Sequence, residues 1–226
     1  MNHRKLILSV LASAGLLASG VSYAQLSLPK LGIGGGDSSA NGATAASGGA
    51  SSLLQNYVGA NQQVLSGQSS LASAMGLGSA AGQAQQAQGL LSGGTPSVSQ
   101  LTQVGSAQQS VSQSLTQAFA ARSGSGGSST PVDKAAFSDG LSSLGKGVSQ
   151  YSSLKSSLGG AGQMNPSSLL QSGMNPQNAQ AASYIAQSAP GQLQSLMSTL
   201  SQAVQFASSH GISVPSVASS ALKGGM

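Results

Sequence analysis

Between Phe137 and Leu158 the apolar residues Phe137, Leu141, Leu144, Val148, Tyr151 and Leu158 keep helical spacing, with Leu154 beside the gap left by Lys155. Such spacing places them on a single stripe of an α-helix. Just upstream, Thr130-Pro131-Val132-Asp133 reads as a helix start. Thr130 is the expected N-cap, Pro131 suits the first helical position, and Asp133 suits the positive end of the helix dipole. A stripe this regular has to be covered by partner helices. The expected fold is therefore all-α, an irregular helical bundle of about four to six helices with no sheet. No window alternates apolar and polar residues long enough to build strands.

The covering material is restricted. Charged residues make up 5% and aromatic residues 3% of the 226, and neither Cys, Trp nor Glu occurs. The core is thus expected to rest on Leu, Val and Ala. Sparse aromatic content accompanies disorder when net charge is high, but charge is sparse here too. The formal net charge is +5. Setting aside Arg4 and Lys5, the cations Lys30, Arg122, Lys134, Lys146, Lys155 and Lys223 are scattered singly. A nucleic-acid-binding face would gather them and interleave aromatics, so no nucleic-acid partner is expected.

Residues 1–24 have the pattern of a signal peptide. His3-Arg4-Lys5 forms a basic start, Leu6 to Ala18 an apolar run, and Ser22-Tyr23-Ala24 a small-residue cleavage site before Gln25. The run falls short of the ~20 apolar residues that span a bilayer. Cleavage after Ala24 is expected to send the mature chain to the periplasm or outside the cell, with no integral membrane span left. Absence of cysteine suits an oxidising compartment.

Residues 25–50 read as a flexible Gly/Ser-rich tether around Gly34-Gly35-Gly36. The glycine run lacks the Gly-Lys-Ser/Thr of a phosphate loop. Residues 51–212 are the expected bundle domain. Its first helix places Leu54, Tyr57, Val58, Asn61, Val64 and Leu65 on one face, and Leu71 and Met75 extend it past Gly67. Ala80 to Leu91 is Ala/Gln-rich and helical. Thr95-Pro96 starts a helix with Leu101, Val104, Gln108, Val111, Leu115 and Ala118 on its stripe and Phe119 beside it. Gln108 interrupts that stripe, so its amide is expected to bond across the bundle or reach solvent at the rim. After a Gly/Ser break at 122–129 comes the central helix.

Asn165-Pro166 and Asn175-Pro176 are two further cap-plus-proline starts. Ala179 to Ser188 forms one segment, with Tyr184 and Ile185 facing inward. A separate helix follows Pro190, with Leu193, Leu196, Met197, Leu200, Ala203, Val204 and Ala207 on its stripe. Gly211 ends it in the left-handed conformation, with Ile212 folding back. Residues 213–226 are a short C-terminal helix or tail. Gly140, Gly145 and Gly147 flank the central stripe. Each costs about 1 kcal/mol of helix propensity against alanine, so either a neighbouring backbone comes close or the composition has drifted.

Chemistry-bearing residues are few. Apart from the expected signal peptide, the chain has one histidine, His210, and the acids Asp37, Asp133 and Asp139. His210 precedes Gly211, where an imidazole caps the helix C-terminus. No carboxylate lies near it in sequence to orient it as a base. Zinc and calcium need clustered ligands, which these residues do not form in sequence. Met75, Met164, Met174 and Met197 are too dispersed for a thioether copper site and suit core filling. Lys146 and Lys155 read as solvated helix residues rather than members of a Ser-Lys pair. No catalytic, cofactor or metal residue is assigned.

The expected function is accordingly that of an exported, non-enzymatic structural or protein-interaction protein of the bacterial-type periplasm or cell surface. Its partner would be another envelope protein. A second reading is a protein that lays amphipathic helices on lipid or a hydrophobic ligand, although the usual basic and aromatic rim is missing. A hydrolase with an unorthodox site is the remotest of the three.

Overall fold

The computed structural model describes residues 42–123, 131–160 and 175–224. Every described residue belongs to one compact unit, Ser38–Met226. Among the described residues there are six α-helices and no strand: α1 (Gly42–Ala74), α2 (Gly78–Leu90), α3 (Val98–Ser123), α4 (Lys134–Gly160), α5 (Pro176–Ser209) and α6 (Ser216–Gly224). The all-α bundle read from the sequence is the fold observed.

The expected hub is buried. Phe137, Leu141, Leu144, Val148, Tyr151 and Leu154 of α4 are all core residues, while the Leu158 side chain lies outside the described residues. Helix α1 packs along α4 in antiparallel fashion, and glycines make the fit. A Cβ built on Gly67 would lie 2.5 Å from Leu144 N and 2.8 Å from Gly140 O. One on Gly147 would lie 2.9 Å from Val64 N and 3.1 Å from Ala60 O. On Gly145 it would meet Ala218 of α6, 2.8 Å from Cα. The flanking glycines of α4 are therefore places where neighbouring backbones approach closely, which answers the question their spacing raised. Gly67 on α1 completes the seam.

Helix ends depart from expectation in informative ways. Helix α1 begins at Gly42, inside the stretch assigned to the tether. Ala43, Ala45 and Ala46 are strong helix formers, and extending an existing helix costs little once it is nucleated. The rest of the tether, residues 25–41, lies outside the described residues, as do 124–130 and the Asn165-Pro166 start. Helix α3 is capped by Ser97 rather than Thr95. Gln100 N donates to Ser97 Oγ at 3.3 Å and Ser97 N to Gln100 Oε1 at 2.8 Å, a reciprocal capping box that Thr95 could not form. Helix α4 is capped by Asp133, not Thr130. Its Oδ1 accepts from Ala135 N at 3.1 Å and Ala136 N at 3.0 Å.

Asn175-Pro176 starts α5 as expected, with Gln177 N donating to Asn175 Oδ1 at 3.0 Å. The break expected at Pro190 is absent: α5 runs through it. Pro190 is exposed, so its ring faces water, and the helix loses one internal hydrogen bond there. Burial of Ala189 and Leu193 on either side holds the two halves together. The stripe of α5 also includes Phe206, buried, while Met197 and Val204 are only partly covered. On α3 it is Phe119, not Ala118, that finishes the buried stripe. At the end of α5, Gly211 adopts φ +63° and Ile212 N donates to Ala207 O at 2.9 Å, the stop read from the sequence.

Two long-range bonds tie loose helix ends together. Asp133 N donates to Ala74 O at 3.2 Å, and the Arg122 guanidinium donates to Met75 O at 2.7 Å. Both use carbonyls left over at the end of α1. At the same end of the bundle Phe119, Phe137 and Phe206 pack together, with centroids 5.3–5.9 Å apart.

The glycine seam yields a paired prediction. Gly67→Ala has to push α1 off α4 and should destabilise the protein by about 1–3 kcal/mol, the usual cost of overpacking. At Gly59, on the same helix, a Cβ meets nothing within 4 Å. Gly59→Ala should therefore stabilise it by about 0.5–1 kcal/mol. Thermal melts of both variants measure the two signs; two substitutions of equal effect would mean that the seam is not closed.

Candidate ligand cleft

Half-way along the bundle the core turns polar. Asn61, Gln68, Ser69, Gln108, Ser112 and Thr199 are buried, and several of them form one network across four helices. Tyr57 Oη of α1 donates to Gln192 Oε1 of α5 at 2.8 Å. Tyr151 Oη of α4 lies 2.9 Å from both Asn61 Oδ1 and Gln192 Oε1. Gln108 Nε2 of α3 donates to Asn61 Oδ1 at 2.6 Å, and Asn61 Nδ2 donates to Tyr57 O at 2.7 Å. Next to it Gln68 Nε2 donates to Ser112 Oγ at 2.8 Å and to Gln108 O at 3.2 Å. The two phenol rings meet edge to face, 5.6 Å apart at 73°, a favoured aromatic geometry. Gln108 thus bonds across the bundle, one of the two arrangements its place in the stripe suggested.

The network forms the floor of a cleft of about 490 Å³ between α3 and α5. Gln108, Gln109 and Ser112 line it from α3, and Tyr184, Gln187, Ser188, Gln192 and Leu196 from α5. Geometry follows from parallel helices whose facing residues include glycines. At Gly105 a Cβ would come within 2.9 Å of Gln192 Nε2, so the missing side chain leaves room for that amide. At Gly191 a Cβ would meet nothing within 4 Å; there the cleft stands open. Tyr184 Oη donates to Leu101 O at 3.3 Å, which ties the ring to the α3 wall.

The phenols are kept neutral. Burial pushes Tyr57 above its ordinary 10.0, with Tyr184 adding to the rise and the bonds to Gln192, Tyr151 and Ser188 opposing it. Burial pushes Tyr151 well above 10.0, and Tyr57 adds to that. The Ser188 hydroxyl lies near enough to the Tyr57 phenol to ease its ionisation. Both tyrosines act as hydrogen-bonding alcohols at neutral pH, and a phenol held this far from ionising is a poor nucleophile or base.

The titratable residues weighed in the sequence sit elsewhere. His210 is the C-cap residue of α5. Its ring stacks on Phe206 at 3.9 Å, and Nδ1 lies 2.9 Å from Phe206 O and 3.0 Å from Ser209 Oγ. That is the capping role its position suggested. Asp133 caps α4, Lys134 Nζ donates to Gly211 O at 3.4 Å, and Asp139, Lys146 and Lys155 are exposed. Among the described residues no three His, Cys, Asp or Glu side chains converge on a possible metal position, and no helix is long and apolar enough to cross a membrane. Met75 is buried core; Met164 and Met174 lie outside the described residues. The sequence reading placed Tyr57, Asn61 and Gln108 on inward faces but did not foresee that they meet. Gln192 carried no signal, since one glutamine in a Gln-rich helix looks like any other.

Compared with known protein families, curated proteins and solved structures, the chain matches none.

Removing network members should separate two costs. Tyr151→Phe leaves Asn61 and Gln192 with their other donors and should cost about 0.5–1.5 kcal/mol. Asn61→Leu strands the Gln108 amide and should cost about 1–3 kcal/mol. A phenol whose folded pKa is raised adds stability that is whole below the unfolded value of about 10 and is lost as pH climbs above it. Wild-type stability should accordingly fall from about pH 10 upward, and the fall should be shallower in Tyr151→Phe. Urea unfolding between neutral and alkaline pH reads both; identical slopes would mean that Tyr151 ionises freely in the folded protein.

Proposed function

We propose that this is an exported, non-enzymatic interaction protein of the periplasm or cell surface, which engages its partner through the uncharged cleft between α3 and α5. The observation that carries the reading is the character of that cleft. Amides and hydroxyls line it, and its floor is held by hydrogen bonds from four helices. Pre-positioned neutral donors and acceptors recognise a partner without transforming it. Catalysis needs a group able to exchange a proton or attack near neutrality, and Tyr57 and Tyr151, behind the cleft, are pushed further from that range. Export rests on the basic start, apolar run and Ser22-Tyr23-Ala24 site of the first 24 residues.

The lipid reading has less behind it, because the apolar stripes of α1, α3, α4 and α5 are turned into one shared core. Laying them on a membrane would require opening the glycine seam.

Two measurements test the proposal. Mass spectrometry of the exported species should give a chain beginning at Gln25; an intact Met1 would sink the export reading. A photo-crosslinking residue at Gln109 or Gln187, both exposed on the cleft rim, should capture a partner in the native envelope, whereas one at exposed Lys155 should not. Equal capture at all three positions, or none at the rim, would remove the cleft as the contact. Flotation with liposomes at moderate salt would instead favour the lipid reading.

A further inference from the structure

We propose that the α3–α5 cleft binds a neutral saccharide, a ligand class that rests on the preceding reading of the cleft as the contact site. Charge is the first argument. The described lining has amide, hydroxyl, phenol and aliphatic groups but no Lys, Arg, Asp, Glu or His. A charged ligand would lose its hydration there without gaining a counter-charge. A wholly apolar ligand would cover the amides of Gln108 and Gln192 and leave them short of partners.

Shape separates the neutral candidates. The walls are two α-helices, whose backbone groups are bonded within each helix, so an extended peptide finds no strand edge to pair with. Leu196 is the one aliphatic side chain beyond alanine size in the described lining, which leaves a peptide side chain no apolar anchor. A sugar ring needs neither. It carries hydroxyls that donate and accept around its rim and C–H groups on its faces. Each glutamine amide offers both a donor and an acceptor edge. Tyr184, its hydroxyl tied to Leu101 O, contributes ring surface.

Two further features suit this ligand. Gln108 and Gln192 are held from behind by Asn61, Tyr57 and Tyr151, so little side-chain freedom is left to lose on binding. The cleft's volume of about 490 Å³ lies within the usual range for small-molecule sites, about 300–1,000 Å³.

The test is NMR titration of the ¹⁵N-labelled mature chain with N,N′-diacetylchitobiose, cellobiose and maltose. At least one should shift the side-chain amide signals of Gln108, Gln187 and Gln192 saturably. Gly191→Trp, which fills the open side of the cleft, should weaken binding by about tenfold or more, and Gly191→Ala should leave it intact. An unchanged melt shows that each variant folds. If no sugar shifts these signals, or if Gly191→Trp binds like wild type while folded, the saccharide assignment is overturned. A neutral Ala/Gln/Ser hexapeptide that shifts them when the sugars do not would overturn the ligand class and keep the cleft as the contact site. Silence from both probes would remove both.

Discussion

At Gly67, Gly140 and Gly147 the backbones of α1 and α4 come so close that a side-chain carbon would collide with main-chain atoms of the other helix, and the rest of the bundle is placed by that contact. A chain so rich in Ala, Ser, Gly and Gln has little large apolar surface to bury. Close approach recovers dispersion contacts that bulky side chains would otherwise provide. The propensity cost of each glycine, about 1 kcal/mol, is offset where a neighbouring backbone fills the space. Gly145 does the same for α6, whose Ala218 rests on it. Helix α4 is thereby gripped by α1 and by α6, and α5 packs along it as well.

With that geometry set, the scarce aromatic residues divide the core into two parts. The three phenylalanines of the chain gather at one end, where the leftover carbonyls of α1 are tied down by Asp133 and Arg122. Tyr57 and Tyr151 sit in the polar part, and Tyr184 borders it at the cleft. A buried hydrogen bond adds little net stability, but leaving its partner unmatched is expensive. The tyrosine–amide network therefore acts mainly on specificity: sliding one helix by a turn would break several bonds at once. A low-complexity sequence needs such a device, because its Ala- and Leu-bearing faces are much alike.

The same network faces outward through Gln108 and Gln192. Core and cleft share side chains, so the amides that set helix register also set the positions of the cleft's donors and acceptors. This coupling makes sense of polar residues at sites where leucine would pack at least as well. The cleft keeps its neutral character because the described charged groups lie elsewhere: Asp133 at the start of α4, Lys134 on the Gly211 carbonyl, Arg122 on the Met75 carbonyl, and Asp139, Lys146 and Lys155 exposed along α4.

Much of the fold was legible in the residues themselves. Helical spacing in α4 marked the buried hub, Asn175-Pro176 marked the start of α5 and Gly211 its end, because these signals depend on local geometry. Where caps compete locally, sequence alone misjudged: Ser97 with Gln100 displaced Thr95, and Asp133 displaced Thr130. The continuity of α5 through Pro190 was decided by tertiary burial on both sides of it, which outweighs one lost hydrogen bond. Spacing also flagged the α4 glycines without telling close contact from compositional drift, since the answer lies on another helix. The candidate site was the least legible part. Tyr57, Asn61, Gln108, Tyr151 and Gln192 come from four helices, and in one dimension a glutamine that closes a buried network looks the same as one that faces water. By itself the sequence determined which faces turn inward, because periodicity and burial are linked along one helix. Which inward-facing polar groups meet was decided only when the glycine seam fixed how far α1 could approach α4.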